Sequence, residues 1–297
     1  MPAREIGITV VVKCFAKINL TLEILGKRAD GFHEVRSVMQ TVGLADRLEV
    51  AAADELSFTC SDPVLAKPEN LVYRAARLLQ TEFSVRAGAA LRLEKRIPVA
   101  AGLGGGSSDA AGAIIALNRL WNLQLSLTEM QALAAGLGSD VPFFLTGGTA
   151  LATGRGERIT PLPPLPPHWV VLVPLPITLS TASVYDSVNP FDYTAGVATA
   201  DIVAAAQHGA LSSQTRWHNA LERPARALAP ALAAAQAALL DAGAPHAHVS
   251  GSGPTVFTVC RDEAAARRLA DRLRAQGCTA AIVPFVQSGW TWGGAVA

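Results

Sequence analysis

Apolar and polar residues alternate along the chain with two different periods, and segments of each kind are interspersed. Helical spacing of apolar residues runs through residues 70–83, 110–121, 128–137 and 263–276. Alternating or continuous apolar runs, typical of strands, cover residues 10–15, 20–24, 89–97, 169–174 and 279–286. Residues 38–59 read as several short strands, and residues 248–259 read as strand, tight glycine turn and strand. Glycines punctuate residues 146–160, which predicts a hairpin. The chain is therefore expected to contain both helices and strands.

A glycine cluster stands at the start of the most apolar of these helices. Residues 97–121 read IPVAAGLGGGSSDAAGAIIALNRLW, and Ser107, Ser108 and Asp109 are candidate N-caps. Glycines at a helix start let backbone N–H groups approach an anion, and the helix dipole favours one there. Two better-known loops do not fit, since no lysine follows the glycines as in a P-loop, and no acidic residue lies at a strand end about 20 positions on. The stretch predicts a phosphate-binding loop.

Composition and charge narrow the function classes. The 297 residues are half hydrophobic with a mean hydropathy of +0.29, so the chain is expected to fold as a globule. A net charge of +1 gives no electrostatic basis for binding nucleic acid or a membrane surface. Cys14, Cys60, Cys260 and Cys278 have no metal-type spacing and are typical of reduced thiols in a cytoplasmic protein. Residues 1–9 lack the apolar run of a signal peptide.

A proline-rich segment changes the composition abruptly at residues 161–167, PLPPLPP. Such segments are stiff connectors. We therefore predict a domain boundary here, with one domain over residues 1–162 and a second over residues 163–297.

Two charged residues are candidates for chemistry with the glycine loop. Lys17 lies in an apolar, strand-like context, where a lysine needs an anionic partner or an edge position. Asp140 precedes Val141 and Pro142, a favourable place for an N-cap that is compatible with facing a cleft. A lysine, an aspartate and an anion-binding loop are the minimum for phosphoryl transfer to a hydroxyl. Their separation in sequence leaves open whether Lys17 and Asp140 meet.

Three segments together resemble the GHMP kinase superfamily: AKINLTL at residues 16–22, PVAAGLGGGSSDAA at residues 98–111 and SGSGPTVF at residues 250–257. A narrower resemblance is to the members that phosphorylate a diphosphocytidyl-linked methylerythritol. It rests on residues 16–38, on the extra glycine and doubled serine of GLGGGSSDAA, and on GSDVPFFL at residues 138–145. The segments occur in order and span nearly the whole chain.

The resemblance implies a two-domain α+β enzyme. Its N-terminal domain would be ribosomal-protein-S5-domain-2-like and bind ATP, its C-terminal domain would be ferredoxin-like, and the substrate would lie between them. The implied reaction moves the γ-phosphate of ATP to the 2-hydroxyl of the methylerythritol unit, in the non-mevalonate isoprenoid pathway. The implied partner is a small molecule, with no nucleic acid or membrane, and the chain is expected to be a monomer or a weak homodimer.

The resemblance also assigns residues. Asp140 is the expected catalytic base and Lys17 its partner. The expected ATP site comprises Asn70, Pro98, Val99, Ala100, Ala101, Gly102, Leu103, Gly104, Gly105, Gly106, Ser107 and Ser108. Either Ser107 or Ser108 is expected to help hold Mg²⁺. The expected substrate contacts are Asn19, Phe32, His33, Asp140, Thr181 and Tyr185.

One position departs from the family pattern, which usually has tyrosine where this chain has Phe32. If that aromatic ring stacks on cytosine, phenylalanine keeps the face and loses the hydroxyl contact. His33 remains available to read the base edge, and Tyr185 is expected to supply the opposite face of the stack.

Two alternatives stay open at this stage: another GHMP enzyme such as a homoserine or mevalonate kinase, and a catalytically silent nucleotide-binding module. The loop at residues 30–33 disfavours the first, and the presence of both Lys17 and Asp140 disfavours the second.

Overall fold

The structure is a computed structural model that describes residues 9–212 and 215–293. The first eight residues, part of the segment on which the expectation about a signal peptide rests, lie outside this range. The strands are β1 Thr9–Lys27, β2 His33–Ala53, β3 Ser57–Cys60, β4 Gly88–Glu94, β5 Thr149–Thr153, β6 Arg158–Pro161, β7 Trp169–Val173, β8 His218–Asn219, β9 His248–Val249, β10 Val256–Cys260, β11 Ala281–Pro284 and β12 Trp290–Trp292. The helices are α1 Leu71–Glu82, α2 Gly105–Leu120, α3 Leu127–Leu137, α4 Val141–Thr146, α5 Thr181–Asp186, α6 Val197–His208, α7 Glu222–Leu228, α8 Ala231–Asp241 and α9 Glu263–Ala275.

The first sheet is built on a long antiparallel pair, β1 and β2. Its main path runs β12-β1-β2-β4-β3, with β5 on β2, β6 on β5 and β8 on β1. The prediction of two separate strands before residue 25 is wrong, because β1 is continuous and shifts register after Phe15, Asn19 and Ile24. A continuous strand tolerates Lys17 in its middle because Asn19 accepts a hydrogen bond from the ammonium at 2.7 Å. Residues 38–59 likewise form most of β2, followed by the short β3, rather than several short strands.

Helices α1 to α4 pack against this sheet. The α2 residues from Ser108 to Leu117 are all buried, and their apolar side chains share one core with the sheet residues Val12, Leu48 and Leu91. The expected caps of α2 are wrong: the helix begins at Gly105, and Gly104 occupies the N-cap position with φ +70°. Because glycine adopts a left-handed conformation without strain, the chain enters the helix before the serines. Ser107, Ser108 and Asp109 therefore lie inside its first turns.

The second sheet is antiparallel, with the order β11-β7-β10-β9. Helices α7, α8 and α9 bury their apolar faces near it, and α9 contributes Ala266, Leu269, Ala270 and Leu273. The predicted α9 and the strand–turn–strand over β9 and β10 are confirmed. Both β8 and β12 come from the C-terminal half and pair with β1. The boundary near residue 162 stays a prediction.

The four cysteines are free thiols, and Cys14 and Cys260 are buried. Across residues 9–212 and 215–293, none of the helices has the length and apolarity needed to cross a membrane. The expected cytoplasmic location and oligomeric state stay predictions.

Candidate active site

A cleft of about 1120 Å³ brings together segments that are far apart in the sequence. Its lining includes the glycine-rich loop before α2, the turn after β1, the start of α4, helix α5 and the glycine turn between β9 and β10. All the predicted site residues line it except Leu103 and Ser108. The two halves of the chain therefore share one cavity.

Lys17 and Asp140 meet in this cleft. The Lys17 Nζ lies 3.5 Å from Asp140 Oδ2. Lys17 is only 4% exposed, whereas the Asp140 side chain is 37% exposed. Asp140 occupies the N-cap position of α4, but within the described chain its carboxylate makes no capping hydrogen bond. The carboxylate is thus paired with an ammonium and accessible from the cleft.

Lys17 is held in place by a chain of hydrogen bonds. Its ammonium donates to Asn19 Oδ1 at 2.7 Å, Asn19 Nδ2 donates to Ser37 Oγ at 2.8 Å, and Ser37 Oγ donates to the Thr21 carbonyl at 2.5 Å. Hydrogen bonding of this kind offsets the cost of burying the ammonium and restricts its orientation. Asn19 also lines the cleft, so it both accepts a hydrogen bond from Lys17 and borders the cavity.

The glycine-rich loop is docked on the turn between β9 and β10. The Ser250 hydroxyl donates to the Gly102 carbonyl at 2.9 Å, and the Lys17 backbone N–H donates to the Leu103 carbonyl at 3.0 Å. Gly102 has φ +74°, and a Cβ there would lie 2.0 Å from the Ser250 carbonyl oxygen. Beyond the loop, the N–H groups of the first turn of α2 have no intrahelical acceptors. This end of the cleft is suited to phosphate.

The two candidate serines lie in different environments. Ser107 lines the cleft, whereas Ser108 is buried and its hydroxyl donates to the Phe15 carbonyl at 2.7 Å. Leu103 is likewise buried in the core, so it contributes its backbone to the loop. Asn70 caps α1 by accepting from the Val72 N–H at 2.9 Å, and it lines the cleft as well.

Aromatic side chains form another part of the cleft lining, the aromatic wall, which comprises Phe32, His33, Tyr185 and Tyr193. Phe32 is 51% exposed at the turn after β1. The His33 ring stacks on Tyr185, with centroids 5.6 Å apart, and contacts Tyr193 edge-on at 6.4 Å. Tyr185, expected to face Phe32 across a base, thus stacks on His33 in this structure. The Thr181 and Ser252 hydroxyls lie 2.9 Å apart and link α5 to the glycine turn.

Ionisation on this wall favours neutral groups. Burial lowers the pKa of the His33 imidazole, and the charge of Lys27 adds to the effect. Burial also raises the pKa of the Tyr185 phenol, with a further contribution from the negative charge of Asp140. At neutral pH both rings are therefore uncharged, as suits stacking against a nucleobase.

A buried ionic cluster beneath the loop was missed by the sequence analysis. Lys95 Nζ binds Asp46 and lies 2.8 Å from Asp109 Oδ2. Burial raises the pKa of Asp109 well above its ordinary value. Burial opposes the charge on Lys95, yet the carboxylates of Asp109 and Asp46 raise its pKa overall. The cluster joins β2, the segment after β4, and α2. Sequence spacing gave only a weak signal for it, an aspartate on the buried face of an apolar helix.

Comparison with known proteins gives this arrangement a family. A family model described as GHMP kinases N terminal domain matches residues 70–148, and one described as GHMP kinases C terminal matches residues 200–277. The 4-diphosphocytidyl-2-C-methyl-D-erythritol kinase of Pelotomaculum thermopropionicum is 49% identical, over 87% of this chain and 92% of that protein. The chain belongs to this family of GHMP kinases. The protein of the same name from Shouchella clausii is 44% identical, over 89% and 90%.

Solved structures agree with this assignment. The crystal structure of a 4-(cytidine 5'-diphospho)-2C-methyl-D-erythritol kinase matches with a TM-score of 0.80 and 37% identity, over 96% of this chain and 100% of that one. A homoserine kinase from Cytophaga hutchinsonii matches with a TM-score of 0.77 at 18% identity, over 99% and 100%, which shows a shared fold only. The predicted α+β GHMP kinase fold is confirmed, and the chain is a small-molecule kinase.

Proposed function

We propose that this protein transfers the γ-phosphate of ATP to the 2-hydroxyl of 4-diphosphocytidyl-2-C-methyl-D-erythritol, a step of non-mevalonate isoprenoid precursor biosynthesis. The observation that carries the proposal is the Lys17–Asp140 pair, 3.5 Å apart, in one cleft with the glycine-rich loop. The names of relatives that are 37%, 44% and 49% identical to this chain support the substrate.

The proposed mechanism assigns one task to each part of the cleft. Backbone N–H groups of the loop and of the first turn of α2 hold the ATP phosphates. The accessible Asp140 carboxylate accepts the proton of the substrate hydroxyl, or orients that hydroxyl, as it attacks the γ-phosphorus. The Lys17 ammonium pairs with the Asp140 carboxylate and offsets charge that develops on the transferring group. Asn70 and the start of α1, which line the cleft, are the proposed neighbours of the adenine.

The oxygen donors of the cleft fit Mg²⁺, which prefers one or two protein oxygens together with water and substrate phosphates. The Ser107 hydroxyl is the proposed protein ligand, because the Ser108 hydroxyl is engaged by the Phe15 carbonyl. When bound, the ion would neutralise charge on the β- and γ-phosphates.

The aromatic wall is the proposed site for the cytidyl group. Phe32 offers an exposed face for stacking, and the neutral His33 offers donor and acceptor nitrogens for the base edge. Asn19, Thr181 and Tyr185 also line the cleft and are the proposed further contacts of the substrate.

Replacing Phe32 with alanine is expected to raise KM for the diphosphocytidyl substrate about tenfold or more, because base–aromatic stacking is lost. KM for ATP should stay within about twofold, since the ATP loop is untouched. Steady-state kinetics with each substrate varied in turn checks this split. The matched control is Phe191→Ala, which removes a ring that is 98% exposed. Equal effects of Phe32→Ala on both KM values would remove the assignment.

A substrate panel tests the proposal against other GHMP activities. ADP release should be fast with the diphosphocytidyl substrate and near background with homoserine or mevalonate. Preference for either of these alcohols would refute the proposed substrate. ATP binding without turnover of any substrate would identify a silent nucleotide-binding module instead.

A further inference from the structure

The guanidinium of Arg155 lies over one face of the exposed Phe32 ring. The Arg155 Cζ lies 5.3 Å from the centroid of the Phe32 ring. Both residues line the cleft, and Arg155 comes from the turn between β5 and β6. A guanidinium at this distance is attracted by the electron-rich face of an aromatic ring. One face of Phe32 is therefore already occupied by protein.

Arg155 is itself held in place. Its Nη2 donates to the Ala135 carbonyl at 3.1 Å, and its backbone N–H donates to Glu157 Oε2 at 2.8 Å. The side chain is partly buried, with 35% of its surface exposed. A planar guanidinium fixed at one edge presents a defined surface to the ring beside it.

The turn that carries Phe32 is equally constrained. The Phe32 N–H donates to Asp30 Oδ1 at 3.1 Å, and Arg28 pairs with both Asp30 and Glu34. The start of β2, which directly follows Phe32, is also joined to the turn that carries Arg155, because the Val35 N–H donates to the Gly154 carbonyl at 2.7 Å. The segments that carry Arg155 and Phe32 are therefore hydrogen-bonded to each other.

We propose that Arg155 is a positioning residue for the base-bearing substrate: it braces one face of Phe32 so that the opposite face receives the pyrimidine. Phenylalanine has no hydroxyl group that could hold its ring in one orientation by a hydrogen bond. The Arg155 guanidinium restrains the ring instead, from the face opposite the pyrimidine. Holding the ring before binding lowers the entropic cost of stacking a base on it. This inference rests on the proposed function, since it assumes a cytidyl ligand.

A competing role for Arg155 is direct contact with the diphosphate of the substrate, because guanidinium groups bind phosphate well. The two roles differ in their dependence on Phe32. If Arg155 acts by holding the Phe32 ring, substituting Arg155 has no effect once that ring is removed. A contact between Arg155 and the diphosphate does not depend on the ring. A double-mutant cycle therefore separates them.

The test uses cytidine 5'-diphosphate and ADP as probes, with binding to the full-length protein measured by calorimetry. Arg155→Gln is expected to weaken cytidine diphosphate binding about three- to tenfold, and Arg155→Lys less, because it retains a cation. ADP binding should change by less than about twofold. In the Phe32→Ala background, Arg155→Gln should have no further effect. The matched control is Arg158→Gln, a more exposed arginine three residues along, which should leave cytidine diphosphate binding unchanged.

Unchanged cytidine diphosphate binding in Arg155→Gln would overturn the inference and leave the proposed function intact. A loss of cytidine diphosphate binding that is equally large in the Phe32→Ala background would also overturn the inference, because that result assigns Arg155 to the phosphates. If wild-type protein binds no cytidine diphosphate and turns over no diphosphocytidyl substrate, the proposed function fails and the inference with it. Thermal melts of each variant show whether a loss of cytidine diphosphate binding reflects unfolding. If Arg155→Gln is unfolded, Arg155→Lys is the folded variant that tests the inference.

Discussion

Replacing Asp140 with asparagine is expected to lower kcat by at least about a hundredfold, the usual contribution of a general base. Asparagine has nearly the same shape, but its amide cannot accept the hydroxyl proton or pair ionically with Lys17. KM for ATP should change little, because in the proposed mechanism the phosphates are held by backbone groups of the loop and of α2 rather than by Asp140. Steady-state kinetics of ADP release measures both quantities.

A matched control for this variant is Asp241→Asn, at the exposed end of α8. It removes a carboxylate of the same kind and should leave kcat unchanged. An Asp140→Asn protein that folds normally and retains most of its kcat would show that the carboxylate does not act on the alcohol. A rise in KM for ATP with kcat intact would place Asp140 in ATP binding instead.

Replacing Gly102 with alanine is expected to lower the free energy of unfolding by at least about 2 kcal/mol. The backbone at Gly102 has φ +74°, where an alanine is strained, and the new Cβ would lie 2.0 Å from the Ser250 carbonyl oxygen. Backbone atoms cannot swing aside, so the loop must separate from the β9–β10 turn. Urea denaturation measures the stability, and ATP titration should show weakened binding by the displaced loop.

Gly136→Ala is the control for the Gly102 substitution. Gly136 lies inside α3, and a methyl group there would enter open space among the described residues. Alanine in a helix is better than glycine by about 0.5–1 kcal/mol, so this variant should be as stable as wild type or more stable. If Gly102→Ala behaves like Gly136→Ala, the close approach of loop and turn is not present in the molecule.

Local patterns predicted the elements that depend on nearby residues. The predicted helices over residues 70–83 and 128–137 and the predicted hairpin over residues 146–160 have short-range causes in the structure. Asn70 caps α1, Ser126 and Glu129 form a capping box at the start of α3, and β5 pairs with β6. The continuity of β1 could not be predicted from local sequence patterns. Lys17 and Asn19 interrupt the apolar pattern, and only their pairing with each other and with Ser37 makes a polar centre acceptable in a strand.

The candidate site was predictable in its residues and not in its contacts. The ordered motifs indicated Lys17, Asp140 and the glycine-rich loop, but Asp140 also suits an N-cap, and spacing cannot separate the two roles. The pairing of Lys95 with Asp46 and Asp109 could not be predicted from the strand-like pattern around Lys95 and Asp46, because it arises from packing between distant segments. Ser107 and Ser108 are adjacent in sequence, and only the helical phase of α2 sends Ser108 to the Phe15 carbonyl.

The most direct test follows the two expected products, ADP and the phosphorylated substrate, in one reaction by ³¹P nuclear magnetic resonance. Wild-type protein with ATP, Mg²⁺ and 4-diphosphocytidyl-2-C-methyl-D-erythritol should form ADP and a new phosphate ester on the 2-hydroxyl in equal amounts, and Asp140→Asn should form neither at a comparable rate. ADP accompanied by inorganic phosphate, or an ester formed equally fast without the carboxylate, would contradict transfer to an alcohol prepared by Asp140.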